Sequence, residues 1–221
     1  VSADSFEKPP TAQEAVLAEL RRMLVTGELS PGSPIRQEAL AERLGVSRVP
    51  LREALKVLEG EDQVRYAAHR GYVVAELSVE DLVEVYRLRE LLEAEAIRAA
   101  VPRATDDLVA AMRIAAAEVD AAGAANDVAG ITAANRRLHF LLFDAAGMPR
   151  LARTLRQLWD ATDVYRSVYF ADAENRDRVH HEHDDLVEAV ARRDAEAAVE
   201  VQAAHRAHSV AAVTAALTAR P

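Results

Sequence analysis

From Ser78 to the C-terminal end every segment repeats its apolar side chains three and four residues apart, which commits the larger part of the chain to helix. Ser78 stands as a cap, with Glu80 and Asp81 favourably placed in the first turn behind it. Breaks near Pro102, Gly123, Gly147-Met148-Pro149, Ala171 to Ala173 and Arg192 to Asp194 divide the region into about six helices, of lengths that suit an antiparallel bundle. The Ala-rich runs around 114 to 129 and 195 to 220 read as close-packed helix, not as low complexity. Aromatic residues are only 5% of the chain, and a mainly β fold is excluded. The absence of cysteine excludes a disulfide scaffold and any thiolate metal site. No apolar stretch approaches the roughly 20 residues of a membrane span, and VSADSFEKPP has no apolar signal core. A soluble, cytoplasmic protein with no membrane partner is expected.

The first part of the chain is organised differently. Residues 1 to 10, with Lys8-Pro9-Pro10, read as a flexible arm, and residues 11 to 77 as a separate small domain. Val16, Leu17, Leu20 and Leu24 mark a first helix from Thr11 to about Thr26, stopped by Gly27 and Ser30-Pro31-Gly32. A second, from about Arg36 to Leu44, ends at Gly45. A third begins at Ser47, whose hydroxyl can cap it, and tolerates Pro50 in its first turn. The segments Gln63 to Ala67 and Tyr72 to Ala75 then read as a hairpin around Ala68-His69-Arg70-Gly71. Three helices and a hairpin describe a winged helix-turn-helix, in which the third helix enters the major groove of DNA.

Net charge is −9, so bulk attraction to a polyanion is not available. Recognition would rest on a few placed arginines. In the third helix Leu51, Ala54, Leu55 and Leu58 form the inner stripe, and Arg48, Arg52 and Lys56 a second stripe roughly 110° away. Arginine suits base reading because its planar fork donates to guanine O6 and N7 together. Ser47 and the first N–H groups could hold a phosphate, and His69 and Arg70 at the wing tip could reach the minor groove. The alternative is that Arg48 and Arg52 are solvated charges beside Glu53.

Six of the seven histidines lie in the helical region. His139 shares a face with Leu142, Phe143 and, one turn earlier, Asn135. His183 lies on the Leu186, Val187, Val190 stripe and faces inward, whereas His181 should be solvated. His205 lies one turn after Val201. With a turn near residues 192 and 193, His183 and His205 differ by only ~4 to 5 Å in height on antiparallel helices. Three imidazoles and a weak oxygen donor would bind one divalent transition metal per chain, with zinc and nickel leading among Zn, Ni, Cu, Fe and Co, and would leave positions open. The alternative is a polar cavity that holds water. Arg89, one turn before Glu93, reads from its spacing as a solvated partner of Glu93. Trp159, Tyr165 and Tyr169, placed on the helix from Pro149, are pocket lining or ordinary core.

The stretch GELSPGSPIRQEALAERLGVSRVPLREALKVLEGEDQVRYAAHRGYVVAELS, Gly27 to Ser78, resembles the DNA-binding domain of the GntR family, with LAERLGVSRVPLREAL its most specific piece. The resemblance implies DNA contacts at Ser47, Arg48 and Arg52 and a wing at His69-Arg70-Gly71. Where some members place an arginine on the preceding helix, this chain has Glu38, so no operator sequence carries over. VYRLRELLEAEAIRAA, NRRLHF and HEHDDLVEAVARRDAEAAVEVQAAH resemble the FCD ligand-sensing domain of the FadR branch, over about residues 79 to 218. That resemblance implies metal ligation by Asn135, His139, His183 and His205, with a neutral Asn where the family commonly has Asp, and an Arg89 that meets an effector carboxylate.

The expected protein is therefore mainly α: a winged helix-turn-helix over 11 to 77, then a helical metal-binding, effector-binding and dimerisation domain over 78 to 221. The expected function is a metabolite-responsive transcriptional regulator, a repressor, binding a palindromic double-stranded DNA operator as a homodimer and sensing a small carboxylate metabolite. A helical metalloenzyme using the three histidines is the alternative. Against it stand the lack of an HExxH motif and of a carboxylate one residue from a ligand placed as an evident base. An architectural DNA binder is a third reading, disfavoured because a bundle of about 140 residues with inward histidines exceeds that task.

Overall fold

The computed structural model describes residues 10–76, 78–163, 165, 169–170 and 172–218. The expected arm falls almost wholly on residues 1–9, outside the described residues. Helix α1 spans Ala12–Val25 and opens with a capping box, in which the Thr11 hydroxyl and the Glu14 carboxylate each accept from the other's backbone N–H. Helix α2, Gln37–Leu44, stops at Gly45, whose φ of 64° is a left-handed conformation that glycine adopts without strain. Helix α3 runs Arg48–Gly60. Ser47 is its N-cap residue, but its hydroxyl makes no capping bond, contrary to the expectation.

Strands β1, Val64–Ala67, and β2, Gly71–Val74, pair antiparallel with Val64 opposite Val74. His69 (φ 64°) and Gly71 (φ 75°) turn the chain between them. Pro34 adds an isolated bridge to Val73. Leu51, Ala54, Leu55 and Leu58 are buried as the inner stripe of α3, so the face bearing Arg48 and Arg52 is left outside.

The helical region comprises α4 (Val79–Ala100), a 3-10 turn (Val101–Arg103), α5 (Asp106–Ala124), α6 (Val128–Ala145), α7 (Pro149–Asp163), α8 (Ala173–Ala191) and α9 (Ala195–Thr218). The breaks fall where Pro102, Gly123, Gly147 and Arg192 to Asp194 place them. Ser78 forms a capping box with Asp81, so α4 begins at Val79, three residues after Glu76, the last described residue of the wing segment. Helix α5 packs on α6 and α8, and α4 on α6, α7 and α9. A large apolar core of Ile97, Val101, Met112, Leu138, Leu142, Phe143, Leu155 and Val190 fills the bundle.

The two halves are not separated by solvent. Leu82 and Tyr86 of α4, Tyr165 and Val213 of α9 belong to the same core cluster as Leu20, Leu51, Leu55 and Leu58 of the N-terminal unit. Tyr165 and Tyr169 lie beyond Asp163, the last residue of α7, not on that helix as the spacing predicts. Both are buried: Tyr165 joins the core between the halves, and Tyr169 packs edge-on to Phe170 in a small cluster with Val119, Ile131 and Val179. Leu82 is fully buried where the halves meet. Leu82→Ala should therefore cost about 2 to 5 kcal/mol and loosen the junction. The outcome expected in differential scanning calorimetry is a lower and broader transition than that of the wild type.

Candidate metal centre and nucleic-acid interface

Asn135 and His139 lie one turn apart on the inner face of α6, and neither has measurable exposure. His183 of α8 and His205 of α9 are buried beside them. Each of the three imidazoles offers a ring nitrogen within 4.8 Å of the others. Ring centroids are 5.2 Å apart for His139 and His183, 5.0 Å for His139 and His205, and 5.3 Å for His183 and His205. Trp159 of α7 lies 5.1 Å from the His139 ring, and Phe143 lies 6.1 Å from it. The amide oxygen and nitrogen of Asn135 are buried with no hydrogen-bond partner among the described residues. Such groups are costly to leave unpaired, and a cation beside three neutral imidazoles would satisfy the oxygen. The donor set fits a borderline divalent metal.

Glu182 supplies what sequence reasoning missed. It precedes His183 in the chain, yet its carboxylate meets His205 Nδ1 at 2.6 Å and also His208 Nδ1. Burial pushes its carboxyl up, but the hydrogen bonds and charges of His205 and His208 overcome this and hold it below the ordinary carboxylate value. A carboxylate on Nδ1 fixes the ring and its tautomer and leaves Nε2 for a ligand position. Glu182 lies one residue from His183, but its carboxylate is taken up by His205 and His208, an orienting arrangement and not that of a base open to substrate. His181 is exposed, as its helical position predicts, and His180 pairs with Asp120 at 2.9 Å.

Arg89 is neither solvated nor simply open to a pocket. It is 2% exposed. Its Nε donates to Glu93 at 2.9 Å, Nη1 lies 3.4 Å from the Thr162 hydroxyl, and the guanidinium stacks 4.2 Å from the Trp159 ring and 4.7 Å from Tyr86. Glu93, fully buried, also accepts from Trp159 Nε1 and Gln202 Nε2 at 2.9 Å each and from Arg206 Nη1 at 3.0 Å. Burial alone would push this carboxyl up; the charges of Arg89 and Arg206 and the bonds from Gln202 and Arg89 hold it below its ordinary value. The pairing with Glu93 is legible at i, i+4, but Gln202 and Arg206 arrive from α9, more than a hundred residues away. Trp159 touches both His139 and Arg89, so the histidine cluster and the arginine meet one indole.

On the opposite half, Ser47, Arg48, Arg52, His69 and Arg70 are all exposed. Arg48, Arg52 and Arg70 line one open groove of about 980 Å³ together with Arg36, Glu38 and Tyr66; Ser47 and His69 lie outside its lining. Val49 and Tyr66 on the same face are 65% and 61% exposed.

This architecture meets known proteins over nearly its whole length. Residues 12–74 match the bacterial regulatory proteins of the gntR family, and residues 84–208 match the FCD domain. The chain belongs to the GntR family, in the FadR-like branch that carries an FCD domain. The Nta operon transcriptional regulator of Aminobacter aminovorans is 32% identical over 73% of this chain and 75% of its own. The HTH-type transcriptional repressor GlaR of Escherichia coli (strain K12) is 25% identical over 84% of this chain and 88% of its own. The solved structure of E. coli McbR/YncC superposes with a TM-score of 0.80 at 25% identity, covering 94% of this chain and 99% of that one. This GntR member is a transcriptional regulator with a DNA-binding head and an effector-type helical domain, and the enzyme alternative finds no support among these relatives. Among the described residues no helix is long and apolar enough to cross a membrane.

The Glu93 network makes a direct demand on stability. Glu93→Ala would leave Arg89 and Arg206 buried beside each other without their shared counter-charge. The expected loss is about 3 to 5 kcal/mol, read as a lower urea midpoint, and Glu93→Gln should recover only part of it.

Proposed function

We propose that this regulator is a cytoplasmic, dimeric, metabolite-responsive repressor, with residues 11–77 as its reading head and 78–221 as its metal-binding, effector-binding and dimerisation domain. The observation that carries the sensing part of this reading is the convergence of three buried imidazoles within 4.8 Å beside the unpaired amide of Asn135. His139, His183, His205 and Asn135 would hold one divalent transition metal per chain, zinc or nickel first. Bound there, the metal supplies positive charge and open positions to which a small carboxylate can attach. Glu182 keeps the His205 ring turned toward the cluster, and the indole of Trp159 separates the histidines from Arg89. A carboxylate that reaches Arg89 must pass that indole and compete with Glu93, which would move α4 against α7.

Repression by binding a palindromic operator as a homodimer is supported by the winged helix-turn-helix and by the repressor role that the name of its relative GlaR carries. Ser47, Arg48, Arg52, His69 and Arg70 are the proposed DNA contacts. Helix α4 leaves the wing segment at Ser78, and its Leu82 and Tyr86 pack into the core of the reading head. Movement of α4 therefore re-aims that head.

Elemental analysis of purified protein should give one divalent metal per chain. Affinity should fall as the pH is lowered, because a protonated imidazole has no lone pair to give a metal. Metal content that persists after any two of His139, His183 and His205 are replaced by Ala would refute the assignment. Calorimetry with small dicarboxylates tests the coupling. An effector that lowers DNA affinity about 5- to 150-fold must itself bind that much more weakly in the presence of operator. Equal effector affinity with and without DNA would refute the coupling while leaving the metal site standing.

A further inference from the structure

Glu38 of α2 is the one carboxylate that lines the proposed DNA-facing groove among the described residues. Its side chain is 83% exposed, and its Oε1 accepts from Arg48 Nη1 at 2.7 Å, across ten residues of sequence. An exposed ion pair of this kind adds about 0 to 1 kcal/mol to stability, so folding does not account for it. On the face presented to DNA a carboxylate carries a cost, since it is repelled by phosphates within the ~10 Å screening length of physiological salt. A negative charge in that position is tolerable where it meets a donor on the nucleic acid.

From this geometry, we infer that Glu38 and Arg48 read one C·G base pair of the operator as a single unit, an inference that rests on α3 lying in the major groove. The major-groove edge of a C·G pair presents the N4 amino donor of cytosine beside the O6 and N7 acceptors of guanine. A carboxylate bonded to a guanidinium presents the complementary pattern, acceptor beside donors. Arg48 Nη1 faces Glu38, and the Nη2 and Nε edge of the same fork is the one that meets guanine. Glu38 accepts from cytosine N4. A thymine at the same place would set its methyl group and O4 against these groups, so A·T is rejected. The ion pair also restrains the Arg48 guanidinium before DNA arrives, which lowers the ordering cost of binding.

The test uses the full chain as wild type, Glu38→Gln, Arg48→Ala and the double variant. A duplex is first selected from a randomised DNA pool with the wild type. Anisotropy titrations then follow on that duplex, a scrambled duplex and each single base-pair variant at fixed salt. The expected result is a C·G position at which Glu38→Gln and Arg48→Ala each reduce discrimination about tenfold or more, with the double variant no worse than the weaker single one. If Glu38→Gln raises affinity for selected and scrambled duplexes alike and leaves every base preference unchanged, Glu38 only repels phosphate and the inference fails. Loss at two different base pairs, adding in the double variant, also overturns it. Failure of the wild type to select any duplex would instead overturn the underlying major-groove reading.

Discussion

One buried carboxylate sets the geometry on which the sensing half depends. Glu93 accepts four hydrogen bonds, from Arg89 on its own helix, Trp159 on α7, and Gln202 and Arg206 on α9. A buried charge left unpaired costs far more than a paired one returns, so α4, α7 and α9 have one relative rotation that satisfies it. Helix α9 has small residues on most faces and little apolar bulk to define which side is inward. Gln202 and Arg206, one turn apart, supply that definition. His205 is the immediate neighbour of Arg206, and once the arginine is locked onto Glu93 the imidazole is turned about 100° away, toward His139 and His183. The histidine cluster and the charge network are thus two consequences of the same helix phase.

How far the sequence foretells this differs from residue to residue. His139, His183 and His205 sit on apolar stripes, and the heights of the last two follow from their distance to the turn at Arg192, so their convergence is legible from residue spacing alone. The Arg89 and Glu93 pair is legible at i, i+4, but its burial is not, because the groups that make burial tolerable come from α7 and α9. Glu182 escapes for the opposite reason. It is next to His183 in sequence, but its side chain points from α8 to the neighbouring α9, and no periodicity within one helix shows a contact between two. Ser47 marks the start of α3 correctly through its extended backbone, while the hydroxyl bond that usually accompanies such a residue is not made. Tyr165 and Tyr169 fall past the end of α7, where a helical reading carried too far assigns them to the wrong element.

The acidic balance of the chain has a spatial answer. Four arginines line the groove at the α2, α3 and wing face, so the potential there is local and does not follow from the net charge of −9. Recognition that relies on a few placed charges has a modest salt dependence and leans on base contacts for its free energy. Such a reader is sensitive to orientation, since each bidentate contact is lost with a small rotation of the head.

That sensitivity is what makes the junction between the halves consequential. A ligand can shift DNA affinity by about 1 to 3 kcal/mol, a small amount that a loose tether would dissipate. Here Leu82, Tyr86 and Val213 are packed into the core of the reading head. Beside that core, Arg136, the residue after Asn135, forks between Asp160 at 2.7 Å and Asp163 at 3.1 Å, on the last turn of α7. Burial pushes the Asp160 carboxyl up to about 6, against the pull of Arg136 and with the help of Asp163 and of Glu61 in the head. Glu61 is itself held by Arg21 at 2.6 Å. The face of α6 that carries Asn135 and His139 is therefore one residue from a charged contact that feels the reading head. The head has a core of its own in Leu20, Leu24, Leu51, Leu55 and Leu58, and Leu82, Tyr86 and Val213 extend that core into the helical half, so the junction is a packed surface and not a loose tether.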